Sequence, residues 1–194
     1  MSSITTKMGD HGETRLYSGE TVSKKSKRVW ACGDIDELVS TLGLAYAEVD
    51  MPIKPFETPP EQVKRLKYLL EEITYIQKKL FIVASEIATL EPKLSKITGR
   101  IDADAMAYLD TKRDMLESSI ELPKGFILPG ANKISAYTDM ARSVSRRCER
   151  VITDLYNEGF VSNKYLLMWM NRLSDYLYLL ASYAEQNQYR MVKE

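Results

Sequence analysis

Apolar residues recur along much of the chain at alternating steps of three and four, the spacing that places them on one face of an α-helix. The spacing predicts five helices, at about residues 34–49, 61–90, 102–119, 133–157 and 163–188. The second has the most continuous stripe: Leu66, Leu69, Ile73, Ile76, Leu80, Val83, Ile87 and Leu90. Alternation typical of β-strands is lacking, except for a short extended piece at residues 14–18.

The seven prolines fall outside the interiors of these stripes, where they would break a helix. They group at residues 52–60, at residue 92 and at residues 123–129, and so mark the connections between helices. Long stripes joined by short breaks bury their apolar faces on one another. We therefore predict an all-α fold, an up-and-down bundle of five helices. We expect residues 1–194 to form one domain with a largely non-helical arm at residues 1–30.

Charge and composition narrow the function. The 27 Lys and Arg residues equal the 27 Asp and Glu residues, which disfavours a nucleic acid or an anionic membrane as partner. His11 is the single histidine, so paired-histidine metal sites are excluded and a His-centred nucleophilic triad is disfavoured. The two cysteines predict free thiols in a reducing compartment such as the cytoplasm. Neither a membrane span nor a signal peptide is expected.

The arm holds a cluster of glycine, threonine and basic residues. Gly9 and Gly12 are three residues apart, and such a pair can turn backbone N–H groups toward one point. With Lys24 downstream, one interpretation is a phosphate cradle. The other is an ordinary glycine turn in a frayed terminus, with His11 as a surface residue. The spacing does not match a Walker loop.

The fourth predicted helix carries a charged face opposite its apolar stripe. We call it the arginine face, and it consists of Asp139, Arg142, Arg146, Glu149 and Arg150. The planar guanidinium group of arginine can donate two parallel hydrogen bonds to a phosphate or a carboxylate, and a face with three arginines therefore favours an anion site. The alternative is a solvated surface with ion pairs between successive turns.

Three further segments each allow a structural and a functional interpretation. Residues 126–130, FILPG, either cover the end of the bundle or present Phe126 as an apolar wall for a bulky ligand. Residues 33–38, GDIDEL, are expected to open the first helix with capping acids, or to bind a metal or an arginine of the fourth helix. Asn171 and its polar neighbours in the fifth helix form a structural network or a ligand site.

Four motifs in this order, TKMGDHGETRL, GDIDEL, FILPG before ARSVSRRCER, and NRLSDYLY, resemble those of the PduO-type ATP:cob(I)alamin adenosyltransferases. The resemblance extends from about residue 5 to residue 183. It implies a ferritin-like five-helix bundle, usually a homotrimer, with ATP at the subunit interfaces. It also implies transfer of the 5′-deoxyadenosyl group of ATP to the cobalt of cob(I)alamin, with Mg²⁺ present and triphosphate released.

The resemblance also implies roles for individual residues. Those that match the family's ATP-binding loop are Thr6, Lys7, Met8, Gly9, Asp10, Gly12, Thr14, Arg15 and the following Lys24. The remaining ATP contacts match Arg146, Glu149, Arg150 and Asn171. Asp36 and Arg142 match an ion pair between subunits, and Phe126 matches an aromatic that displaces the lower axial ligand of the corrin. The metal ligands stay unknown.

This reaction suits the residues, because cob(I)alamin is itself the nucleophile and no serine, cysteine or histidine nucleophile is needed. The resemblance makes Arg146 and Phe126 the predicted catalytic residues. The chain departs from the family pattern at Ala131, where a second glycine is usual, and at Asp139, where histidine is common. A flavin-type reductase and a B12-dependent enzyme are the expected partners. Two alternatives stay open: a carrier of adenosylcobalamin and a non-catalytic helical scaffold.

Overall fold

The computed structural model describes residue 7 and residues 9–50, 58–91 and 93–192. Five helices dominate this part of the chain: α1 (Lys27–Asp50), α2 (Pro60–Ile87), α3 (Ala103–Ser119), α4 (Lys133–Asn157) and α5 (Lys164–Glu185). A 3₁₀ turn, Lys93–Lys96, lies between α2 and α3. The prediction of an all-α five-helix fold is confirmed, and α4 has the predicted bounds.

Two small antiparallel sheets accompany the helices. In the first, β1 (Glu13–Arg15) pairs with β2 (Thr21–Ser23), and in the second, β3 (Ile127–Leu128) pairs with β4 (Arg190–Met191). The extended piece expected at residues 14–18 is only partly right, because β1 ends at Arg15. Leu16 is buried in the turn that follows, and its N–H donates to the Glu20 carbonyl at 2.8 Å.

The apolar stripes meet in one core. Helix α1 packs against α2 and α4, and α5 packs against α4 and α3. The stripe of α2 is almost fully buried from Leu66 to Ile87. Burying each such side chain contributes about 1.5–3 kcal/mol, which explains why the stripe selects helix pairing. Among the described residues, no helix is both long and apolar enough to cross a membrane.

Asparagine and aspartate side chains fix where three of the helices begin. Asp102 accepts a hydrogen bond from the Ala105 N–H at 2.9 Å, and Asn163 accepts one from Tyr165 at 3.0 Å. Asn132 and Ser135 form a reciprocal capping box at the start of α4. Each cap satisfies a backbone donor that the helix leaves free. The position of α4, and so of its arginine face, is set by this local chemistry.

Helix α1 begins seven residues earlier than predicted, so the expectation that GDIDEL opens it is wrong. Arg28 explains the earlier start. Its buried guanidinium donates to the carbonyl oxygens of Ile87, at 2.5 Å, and Phe160. These oxygens lie at or just beyond the C-terminal ends of α2 and α4, where a cation is favoured. Gly33 lies inside the helix, and a Cβ there would meet no atom of a neighbouring element within 4 Å. This glycine therefore does not mark a helix start.

A buried carboxylate ties α2, α3 and α5 together. Glu72 accepts hydrogen bonds from the hydroxyls of Tyr176, at 2.8 Å, and Tyr108, at 3.0 Å, and pairs with the Lys112 ammonium at 2.6 Å. Burial raises the pKa of Tyr176 far above its ordinary value, so its hydroxyl stays a donor. A buried carboxylate with this many partners is satisfied, and we assign it a structural role.

Candidate active site

The predicted phosphate loop is one hairpin, formed by β1, β2 and the turn that precedes them at residues 9–12. We call it the glycine hairpin. The Gly9 carbonyl accepts from the Lys24 ammonium at 2.7 Å and from the Gly12 N–H at 3.3 Å. Gly12 has φ +82°, a conformation that glycine adopts without strain. Lys7, Asp10, Thr14 and Arg15 lie in or beside this turn, whereas Thr6 and Met8 fall outside the described residues.

The glycine hairpin is anchored at one end of the bundle. The Lys93 ammonium donates to the Ser18 carbonyl and to the Glu20 carboxylate, both at 2.7 Å. Its hydrogen bond lowers the pKa of Glu20 to about 2, so the anchor is charged at neutral pH. Lys27, just after the hairpin, pairs with Glu158 at the end of α4. The hairpin therefore lies near the C-terminal ends of α2 and α4.

The arginine face lies farther along α4. The Asn171 amide of α5 donates to the Glu149 carboxylate at 2.8 Å, so these two predicted ATP residues do meet. Arg150 donates to the Arg146 carbonyl at 3.1 Å. The Arg146 guanidinium is exposed and makes no hydrogen bond or ion pair with the residues that the structure describes. The ion-paired surface of the second interpretation is found only at Arg142, which contacts Asp139 at 2.7 Å.

A groove of about 460 Å³ runs along this face between α3, α4 and α5. Arg142 and Arg146 line one wall, and Arg113 of α3 and Asp175 of α5 face them. Arg113 could not be singled out from the sequence, because the weak apolar pattern of α3 does not indicate which helix α3 packs against. Arg113 and Arg142 are already paired with aspartates of their own helices, and Glu117 also lines the groove. Arg146 is therefore the guanidinium available to an anionic ligand or an acidic partner surface.

The acids of GDIDEL bind an arginine that the sequence analysis left without a role. Arg147 pairs with Glu37 and lies 3.5 Å from Asp34, both on α1. This contact is one of the alternatives left open for the motif, and it fixes the rotation of α4 so that Arg146 and Arg150 face outward. Asp36 is exposed and is not in contact with Arg142 in the single chain.

Phe126 stands on a braced loop. The Phe126 carbonyl accepts from the Val192 N–H at 3.0 Å, and Arg190 donates to the Pro129 carbonyl at 3.2 Å. The phenyl ring is 84% exposed, so the interpretation that it covers the bundle end is wrong. A rigid backbone that presents an aromatic ring to solvent favours the other interpretation, an apolar wall for a ligand.

The family model described as Cobalamin adenosyltransferase matches residues 4–184, nearly the whole chain. The chain belongs to the cobalamin adenosyltransferase family. A corrinoid adenosyltransferase of Citrobacter freundii is 31% identical over 95% of this chain and 96% of its own length. Another, of Bacillus subtilis, is 35% identical over 92% of this chain and 84% of its own.

Solved structures agree with this membership. A variant of the PduO-type ATP:corrinoid adenosyltransferase from Lactobacillus reuteri, complexed with cobalamin and ATP, superposes with a TM-score of 0.81. It is 29% identical, and the match covers 99% of both chains. The resemblance first seen in four short motifs therefore extends over the whole fold.

The thiols and acids of this cobalamin adenosyltransferase fit a reaction in which the protein supplies no nucleophile. Burial raises the pKa of Cys148 to about 12, so its thiol stays protonated. Cys32 is half-buried and its pKa is also raised by burial. No group of three His, Cys, Asp or Glu side chains within the described residues is arranged to hold a metal ion. The site instead offers cationic and backbone donors.

Gly9→Ala tests the glycine hairpin. A Cβ at residue 9 would lie 2.9 Å from the Lys24 ammonium, which would have to move. We expect the KM for ATP to rise roughly tenfold, the loss typical of a displaced charged hydrogen bond, with thermal stability nearly unchanged. Steady-state kinetics and thermal unfolding measure both. Gly43→Ala is the matched control, because its nearest contact would be an ordinary 3.8 Å. An unchanged KM in Gly9→Ala would contradict this placement of Lys24.

Proposed function

We propose that this cobalamin adenosyltransferase binds ATP between two copies of the chain, the glycine hairpin of one copy facing the arginine face of the next. The enzyme transfers the 5′-deoxyadenosyl group of ATP to the cobalt of cob(I)alamin. The observation that carries the proposal is the uncompensated Arg146 beside the Glu149–Asn171 pair. Such a cluster, open to solvent in one chain, is available to an anionic ligand.

The distance between the glycine hairpin and the arginine face within one chain supports an ATP site shared between two copies. Lys27 and Glu158 place the base of the glycine hairpin at the end of α4. Arg146 lies twelve residues earlier, about 18 Å along the helix axis. Among the described residues, no hydrogen bond or ion pair joins the hairpin to the arginine face. A second copy brings both halves to one ATP without any large movement of the chain.

The proposed residues divide the chemistry. Lys24 and the backbone donors of the hairpin bind phosphate oxygens, and Arg146 and Arg150 stabilise the charge that develops on the triphosphate leaving group. The Asn171–Glu149 pair orients the nucleoside so that its C5′ is aligned with the cobalt nucleophile. None of these side chains needs to gain or lose a proton during the transfer.

Mg²⁺ would accompany ATP rather than occupy a protein cage. Mg²⁺ keeps several waters and commonly binds through substrate phosphates with one or two carboxylates. The described residues provide no three-ligand cluster, which agrees with that mode. Mg²⁺ would supply further charge neutralisation on the phosphates. We assign no protein ligand to it.

Phe126 is proposed to lie under the corrin ring. An apolar side chain there excludes water and the lower axial ligand, and so favours a four-coordinate cobalt(II) state that is easier to reduce. The exposure of the ring and the braced backbone support this role. We assign Phe126 to the cobalamin half of the site and Arg146 to the ATP half.

The assembly is proposed to be a homotrimer in which Asp36 pairs with Arg142 of a neighbouring copy. Asp36 is exposed on α1, and the Arg142 guanidinium lines the groove on the arginine face. Asp139 already contacts Arg142 within the chain, so an incoming Asp36 would share that guanidinium. An arginine fork can serve two carboxylates at once.

The cellular setting follows from the reaction. A reductase of the flavin type would supply the electron that makes cobalt(I), and a B12-dependent enzyme would take up adenosylcobalamin, which the transferase carries until then. Two free cysteines within the described part of the chain support a cytoplasmic location for the enzyme.

Subunit mixing tests the shared site. Lys24→Ala and Arg146→Ala are each expected to be nearly inactive, because each removes one half of every site. Co-expressed with different affinity tags and purified as mixed trimers, they should recover activity. Each purified mixed trimer contains one intact site of three, so about a third of the wild-type activity is expected. Formation of adenosylcobalamin from ATP, Mg²⁺ and chemically reduced cobalamin is followed by visible spectroscopy.

Two results would contradict the proposal. Mixed trimers that form, as shown by recovery of both tags, and yet stay inactive would place the ATP site within one chain. A wild-type protein that produces neither adenosylcobalamin nor triphosphate would contradict the activity itself. Lys78→Ala, which removes an exposed lysine of α2, is the control for charge loss and should behave as wild type when mixed with either variant.

A further inference from the structure

A line of polar contacts runs from α3 across α5 to the arginine face of α4. Asp110 Oδ1 of α3 lies 3.2 Å from Arg113 Nη1 and 3.4 Å from Arg172 Nε. Arg172 Nη1 donates to Asn171 Oδ1 at 3.3 Å. Asn171 Nδ2 in turn donates to Glu149 at 2.8 Å. Helix α3 has no other assigned part in ATP binding, yet it holds the far end of this line.

The order of donors and acceptors gives the line a direction. A guanidinium only donates, so Arg172 selects the oxygen end of the Asn171 amide. That choice leaves the amide nitrogen for Glu149, which only accepts when ionised. Without Arg172 the amide oxygen loses its donor, and the Glu149 carboxylate alone holds the amide. Arg172 and Glu149 therefore fix together which way Asn171 points.

Asp110 holds the Arg172 guanidinium where it can donate to the Asn171 amide oxygen. The Arg172 Nε and Asp110 Oδ1 atoms are both buried and neither makes a hydrogen bond, although about two fifths of each side chain is exposed. The contact between them is an ion pair. Two buried atoms of opposite charge at 3.4 Å attract one another more strongly than a solvated pair does. Arg113 adds a second positive group to the same carboxylate oxygen. The guanidinium of Arg172 is thus held at its Nε while its Nη1 reaches Asn171.

We propose that Arg172, held by Asp110, is a positioning residue of the ATP site and acts by orienting the Asn171 amide toward Glu149. The inference rests on the proposed role of Asn171 and Glu149 in ATP binding. It predicts that loss of the Arg172 guanidinium weakens ATP binding through Asn171 and leaves the cobalamin half of the site unaffected.

Kinetics of Arg172→Met and Arg172→Lys test the inference. Methionine keeps much of the aliphatic stem, and lysine keeps the charge but offers one nitrogen in place of a fork. Both variants are expected to raise the KM for ATP roughly tenfold, with kcat and the KM for cob(I)alamin within about twofold of wild type. Asp110→Asn should show the same pattern at smaller magnitude. Asp114→Asn, which removes an exposed partner of Arg113, is the control and should match wild type.

A double-mutant cycle with Asn171→Ala decides how Arg172 acts. In the Asn171→Ala background, Arg172→Met should add little to the ATP KM, because the group that it orients is gone. A full additional effect there would overturn the inference and indicate that Arg172 acts on ATP independently. An unchanged KM in folded Arg172→Met and Arg172→Lys, with a raised KM in Asn171→Ala, would overturn it and leave the proposed function intact. An unchanged KM in Asn171→Ala would contradict the proposed site and the inference together.

Discussion

Arg146→Ala is expected to lower kcat/KM for ATP by about a hundredfold to a thousandfold, the loss typical of removing one donor to a developing negative charge. The Arg146 guanidinium is exposed and unpaired among the described residues, so its positive charge is available to the triphosphate. The same isolation means that the folded chain loses no contact. The free energy of unfolding should stay within about 0.5 kcal/mol of the wild-type value. Triphosphate release and circular dichroism measure the two effects.

Two further variants make the Arg146 result specific. Arg146→Lys keeps the charge without the fork and should retain part of the activity, since lysine contacts a phosphate through one nitrogen. Arg65→Ala removes a half-buried arginine of α2, at a different groove, and should match wild type. An Arg146→Ala enzyme with normal ATP turnover would remove this residue from the site. A variant that loses helix content would contradict the exposed position of the side chain.

The helices could be predicted from the sequence because apolar spacing and capping are local. The stripe of α2 and the Asn132–Ser135 box specify their helices with no reference to the rest of the fold. The start of α1 could not be predicted in this way. Arg28 is buried only because two other helices end beside it, and the sequence does not indicate that proximity.

The arginine face shows the same limit of prediction from local sequence patterns. The 100° spacing of α4 places Arg146, Glu149 and Arg150 on one face, and the family resemblance implies that Asn171 is a further ATP contact. The hydrogen bond between Asn171 and Glu149 was not predicted. Contacts across helices could not be decided from the sequence. The pairing of the α1 acids with an arginine of α4 was one alternative among several, and Arg147 could not be singled out, because such contacts depend on which helices are neighbours and in what register. The partners of Arg113 within α3 are local, yet its place in the groove is not.

Phe126→Ala is expected to lower the rate of adenosylation by about a hundredfold and to leave the dissociation constant for ATP within about twofold of wild type. Phe126 is 84% exposed and does not line the groove that contains Arg146, so we expect ATP binding not to depend on it. Its loss would admit water or an axial ligand beneath the corrin, which disfavours the four-coordinate cobalt(II) state. Calorimetry measures ATP binding, and visible spectroscopy follows both the transfer and the coordination of cobalt.

A lower rate of adenosylation with an unchanged dissociation constant for ATP would distinguish a role of Phe126 in cobalamin chemistry from a role in folding. The loop is held through backbone atoms of Phe126 and Pro129, so truncating the ring leaves its bracing in place. Phe81→Ala is the matched control, because that ring is also largely exposed, at 61%, but lies on α2. Equal losses of ATP binding and adenosylation in Phe126→Ala would refute the assignment. If cob(I)alamin supplied by chemical reduction restores much of the rate, the deficit lies in making the reducible cobalt state, as an apolar wall beneath the corrin requires.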